Sequence, residues 1–88
     1  SAFTNPQFAP RLRALGVDSL VVAGLKTNLC VESTVRDAFD LGFICSAAGD
    51  AMAARTEELH LASLKGMADG FAMVRTTAEI LAEAESGL

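Results

Sequence analysis

Apolar positions along the chain change their period several times, and each change marks an element. The run Leu20-Val21-Val22-Ala23 is short and continuous, the form of a parallel strand covered on both faces. Gly24 is expected to end it. After the loop Leu25 to Asn28, apolar residues return at Val31, Val35, Ala38 and Phe39, an i, i+4, i+7, i+8 spacing that belongs to one helical face. This predicts a helix over Leu29 to Leu41, with Gly42 as its left-handed stop. A second apolar run predicts a strand over Phe43 to Ala47, closed by Gly49-Asp50-Ala51. Thr56 with Glu57 and Glu58 marks the next helix start, and that helix is expected to end near Met67 after burying Leu59, Ala62, Leu64 and Met67. Phe71 to Arg75 reads as a third strand. Thr76 to about Ala84 reads as the last helix, with Glu79 two residues after Thr77, one position short of a capping box. At the start, Thr4-Asn5-Pro6 carries turn chemistry, and Pro10 confines regular helix to about Ala9 to Leu15, because an interior proline removes a backbone bond. Phe8, Leu12 and Leu15 then face inward, Arg11 and Arg13 face water, and Gly16 ends the helix.

The order is one helix followed by three rounds of strand and helix. Short connections between parallel strands require right-handed crossovers, so the fold class is α/β: a parallel sheet flanked by helices in three layers. Length limits how far this can go. A chain of 88 residues buries only about 60 to 65 percent of its unfolded surface, and a parallel sheet needs cover on both faces and both edges. The expectation is therefore that residues 1–88 are only part of a larger domain.

The formal net charge is −4, with seven Lys and Arg scattered along the chain. That argues against a nucleic-acid surface. No run approaches the roughly 18 apolar residues that span a bilayer, and no signal-peptide pattern stands at the start. A cytoplasmic protein is the default expectation. Its two cysteines, Cys30 and Cys45, form neither a disulfide framework nor a zinc-ligand spacing, so reduced thiols are expected and no metal or cofactor is called for.

Cys30 is the residue with the most chemistry in reach. With Asn28 as N-cap, it would occupy the first turn of its helix, where free backbone N–H groups and the positive dipole end stabilise an anion. A thiol so placed can lose its proton below the free value of about 8.5, and the thiolate is the nucleophile. A free cysteine at a strand-to-helix joint is otherwise simply a packed apolar residue. Cys45, mid-strand in FICSA, is read in that second way. Asp50 follows a strand, where acids form turns and caps, but also where ligands of open parallel sheets bind. His60 has no Cys or acid spaced beside it and reads as a packed or surface histidine. Glu32, Arg36 and Asp40 form opposite-charge i, i+4 pairs on a solvated helix face. Gly24-Leu25-Lys26-Thr27 lacks the glycines of a phosphate-binding loop and of a dinucleotide fingerprint alike.

The run VVAGLKTNLCVESTVRDA, the following L-G-F and the D-A of Asp50 and Ala51 together resemble the cysteine-hydrolase branch of the isochorismatase-like superfamily, which includes nicotinamidases, N-carbamoylsarcosine amidase and ureidoacrylate amidohydrolases. G-x-x-T-N-x-C-V from Gly24 to Val31 is its most specific part, and the likeness extends from Ser1 to the T-x-E of Thr77 and Glu79. The resemblance implies that Cys30 attacks the carbonyl of a small amide or ureido substrate, and that the backbone N–H groups of Lys26 and Cys30 form the oxyanion hole. It further implies a cis peptide between Leu25 and Lys26, and gives Asp50 a possible place at the edge of the site. The family's catalytic aspartate and lysine would precede Ser1, so the resemblance makes residues 1–88 the C-terminal part of one larger doubly wound domain, whose missing N-terminal half is an implied partner, and self-association is expected. Lys26 sits in the loop, where the family lets the side chain vary, and does not replace that lysine. A catalytically silent half-domain acting as an interaction module is the alternative.

Overall fold

The computed structural model describes residues 1–86. A short 3-10 turn, Ala2–Thr4, precedes helix α1, Phe8–Ala14, and strand β1, Ser19–Leu25. A π turn, Thr27–Val31, leads into helix α2, Glu32–Asp40, which returns to strand β2, Ile44–Ala53. Helix α3, Glu57–Gly70, strand β3, Met73–Arg75, and helix α4, Thr77–Ser86, complete the order. The three strands are parallel in the order β1-β2-β3. This is the α/β architecture that the apolar pattern predicts.

One face of the sheet builds the core. Cys45 and Ala47 of β2 are buried with Val35 and Ala38 of α2 and Met67 of α3, and Leu20 and Val22 of β1 pack against them. Phe3 joins this layer through Phe8, with ring centroids 5.1 Å apart, and through Phe43 at 5.8 Å. On the opposite face, among the described residues, only α4 lies against the sheet, its Ile80 and Ala84 sharing a groove with Val21, Ile44, Ser46 and Met73. Val21 remains 60% exposed and Ile44 59% exposed. β1 is an edge strand, and its outward face is apolar and open.

Several boundaries differ from the sequence reading, each for a local reason. β1 continues through Gly24, whose φ of 120° is open to glycine alone. β2 does not close at Gly49-Asp50-Ala51 but runs to Ala53, because Val22 pairs with Ala47 whereas Gly24 pairs with Met52. Two steps along β1 thus match five along β2, and the surplus bows out as a bulge that re-aims its side chains. Leu15 is not a core residue: α1 stops at Ala14, and Leu15 is left exposed ahead of Gly16, whose φ is 79°. Arg13 does not simply face water, since its guanidinium lies 4.4 Å from the Phe43 ring centroid and donates to the Leu41 carbonyl. In α3 the buried residues are Ser63 and Met67, with Leu59 and Leu64 half-buried and Ala62 exposed. The last helix is capped by a complete capping box one residue earlier than expected: Glu79 N–H donates to Thr76 Oγ1 at 3.1 Å, and Thr76 N–H donates to Glu79 Oε1 at 2.9 Å.

Candidate active site

β1 ends at the C-terminal edge of the sheet, where open parallel sheets bind ligands, and the chain turns there through a cis peptide between Leu25 and Lys26. The next five residues wind as a π turn, closed by Val31 N–H on the Lys26 carbonyl at 3.3 Å. Turns of this kind are rare and concentrate at functional sites. Asn28 is not the helix cap. Lys26, extended at φ −97° and ψ 148°, holds the cap position without a side-chain bond, because the turn already starts at Thr27.

Both ends of the turn are buried and its middle is open. Thr27 is fully buried and Val31 nearly so, while Leu29 and Cys30 are exposed. The Cys30 carbonyl accepts from Thr34 Oγ1 at 2.8 Å, and that hydroxyl accepts from Ala2 N–H at 3.0 Å. Cys30 and Leu25 line one groove of about 410 Å³ that runs along the free edge of β1 past Phe3 and Phe8. Lys26 points elsewhere, into a smaller groove of about 200 Å³ shared with Asn28 and Arg55.

Sequence reasoning missed a set of polar residues packed behind this turn. Thr27 Oγ1 lies 2.7 Å from His60 Nδ1. Ser63 Oγ lies 3.2 Å from the Thr27 carbonyl and 2.5 Å from Glu32 Oε1. Ser63 has one proton to donate, and the short bond to a carboxylate is the stronger claim on it. Glu32 also accepts from Arg36 Nε at 3.0 Å, and Arg36 stacks over Phe71 at 4.3 Å, which meets Phe39 edge-on at 5.3 Å. Glu32 is therefore turned toward α3, while Arg36 stays exposed across the Phe71 ring, so this helix face is not purely solvated. His60 and Ser63 are three residues apart, the spacing that puts two side chains on one face of a helix. That spacing was the available signal, but it identifies no partner by itself.

Asp50, carried by the bulge of β2, accepts from Thr77 Oγ1 at 2.7 Å and from Thr77 N–H at 2.8 Å. These bonds, the hydroxyl first, hold its carboxyl below the usual carboxylate range. Its contacts are with the start of α4, and it does not line the Cys30 groove. Cys45 is buried in mid-sheet, and desolvation pushes its thiol up. Among the described residues no three His, Cys, Asp or Glu side chains converge as metal ligands would.

Residues 1–79 match the isochorismatase domain. The chain belongs to the isochorismatase family. Its sequence is 44% identical over 72 residues to nicotinamidase 3 of Arabidopsis thaliana, a match that covers 82% of this chain and 36% of that protein. It is 40% identical over 80 residues to a ureidoacrylate amidohydrolase of Azorhizobium caulinodans, covering 90% of this chain and 35% of the relative. The fold superposes on a crystal structure of a cysteine hydrolase from Pseudomonas syringae pv. phaseolicola with a TM-score of 0.95 and 33% identity, covering 100% of this chain and 46% of that one. The chain thus spans less than half the length of these isochorismatase-family relatives.

Proposed function

We propose that this chain is the C-terminal half of an isochorismatase-family cysteine hydrolase domain that cleaves an amide or ureido C–N bond of a small molecule, with Cys30 as nucleophile. The observation that carries the proposal is the exposed Cys30 held mid-turn at the C-terminal edge of the sheet, between two buried anchors and facing a groove. The Cys30 sulfur forms a bond to the carbonyl carbon, and the carbonyl electron pair moves onto oxygen. The backbone N–H groups of Lys26 and Cys30 receive that oxyanion. Collapse breaks the C–N bond, the nitrogen leaves with a proton, and a thioester remains on Cys30. Water then attacks the thioester carbon, releasing the acid and restoring the thiol.

The base that takes the thiol proton and delivers it to the leaving nitrogen is an aspartate, and the charge beside the thiolate is a lysine. Both belong to an N-terminal half outside these residues. The open face of β1 and the unpaired β1 edge are the surface that half would cover, which also completes the walls of the substrate groove. Free Cys30 and Cys45 thiols fit a reducing compartment, the cytoplasm. Self-association through the same open face is the fate we assign to the chain when that half is absent.

A second reading, a catalytically silent interaction module, is favoured by the same open apolar face around Val21 and Ile44. One assay separates the two. Turnover of nicotinamide and of ureido substrates is measured with the 88-residue chain alone and joined to an upstream half carrying the aspartate and lysine. The expected result is activity only in the joined protein, abolished by Cys30→Ala. Robust turnover by the pure chain as a monomer refutes the half-domain reading, and no turnover by the joined protein on any amide refutes the hydrolase reading.

A further inference from the structure

We propose that His60 of α3 is a positioning residue for the nucleophile: its bond to Thr27, the first residue of the turn that carries Cys30, fixes where the thiol stands. The inference rests on the reading of Cys30 as nucleophile, but the clamp itself is a matter of geometry. Thr27 is bound to α3 through its side chain. Its hydroxyl meets His60 Nδ1 at 2.7 Å, and Ser63, one helical turn on, stands 3.2 Å from the Thr27 carbonyl while its proton goes to Glu32.

The pairing does more than satisfy polar groups. Thr27 is fully buried and His60 half-buried, a setting in which an apolar pair of similar shape packs as well without needing a partner. A threonine and a histidine there fix one relative placement, because either group left unmatched in a buried setting is destabilising. The turn has few other constraints. Val31 anchors its far end through apolar packing, and Thr34 holds the Cys30 carbonyl, so the near end depends on α3. Glu32, which opens α2, is joined to the same Ser63 hydroxyl. Movement of α3 is thereby transmitted to both sides of Cys30, and a displacement of about 1 Å in reacting groups can cost about a hundredfold in rate.

Substitutions that keep shape and remove the bond give the test. His60→Leu and Thr27→Val each break the pair; His60→Asn places an amide near the Nδ1 position and Thr27→Ser keeps the hydroxyl, so both are rescuing variants. The first readout is hydrogen exchange of the peptide covering residues 26–32 in the full-length protein. Each disrupting variant is expected to speed that exchange about tenfold, the loss of one partner to a buried polar group, while exchange in β2 stays unchanged. The double variant should be no worse than either single one, and the rescuing variants should return exchange to within about threefold of the starting protein. In the hydrolase assay, kcat should fall by about ten- to a hundredfold with KM nearly constant. Exchange needs no substrate, so loss of the hydrolase reading leaves the clamp testable by itself. Unchanged exchange at residues 26–32, additive effects in the double variant, or failure of both rescuing variants overturns the proposal, whatever the activity.

Discussion

The two thiols report the fold directly. Cys45 is 3% exposed in the central strand, opposite Leu20 of β1, with neighbouring Ser46 opposite Met73 of β3. An alkylating reagent reaches its sulfur only after β2 is stripped of a neighbour, which for so small a sheet amounts to unfolding the core. A single core of this size supplies no more than about 3 to 5 kcal/mol, and each 1.4 kcal/mol is about a factor of ten. Protection of Cys45 should therefore run from about a hundredfold to about four thousandfold. Burial also raises its pKa, which lowers the thiolate fraction at neutral pH and slows the reaction further. Cys30 is exposed and needs no opening step. In limited iodoacetamide treatment at pH 7 with peptide mapping, Cys30 should label at least about a hundredfold faster than Cys45 by the same free-energy relation. The contrast should vanish in strong denaturant. Comparable rates in native buffer, or faster labelling of Cys45, would refute the placement of the two cysteines.

Met67 is fully buried where α3 meets α2 and the sheet, so Met67→Ala should cost about 2 to 5 kcal/mol and shift the urea midpoint by most of the chain's stability; a shift equivalent to under about 1 kcal/mol contradicts this packing. Asp50 and Glu79 both have pKa values lowered in the folded state, Asp50 by Thr77 and Glu79 by the backbone N–H and hydroxyl of Thr76. Their contribution is complete above the unfolded values of about 4 and is lost as pH falls through the folded ones. Urea titrations between pH 5 and 2, values of order set by those same carboxyl pKa ranges, should show a shallower stability loss for Asp50→Ala than for the unaltered chain. Parallel curves would show that the Thr77 bonds contribute nothing.

The fold was largely legible because its elements announce themselves locally. The apolar run at β1, the 3.6-residue period of α2 and the stop at Gly42, with φ 90°, are properties of neighbours in sequence. Boundaries failed where tertiary pairing overrode them. The bulge in β2 depends on which residues of β1 stand opposite, and the capping box at Thr76 depends on where β3 releases the chain. The nucleophile's place at a strand-to-helix joint was legible, since a glycine, a loop and an amphipathic restart bracket Cys30. Its exposure between two buried anchors was not.

Sequence alone determined the order of strands and helices, the position of Cys30 at the first switch from strand to helix, and, through G-x-x-T-N-x-C-V, the family. Tertiary structure decided that α2's Glu32 turns toward Ser63 of α3, that Asp50 is bound to Thr77, and that Thr27 is held by His60. The physical reason is range. Helical period, turn residues and charge spacing act over a few positions, whereas Thr27 and His60 are 33 residues apart. They meet only because the chain runs through α2 and β2 before α3 packs against the turn.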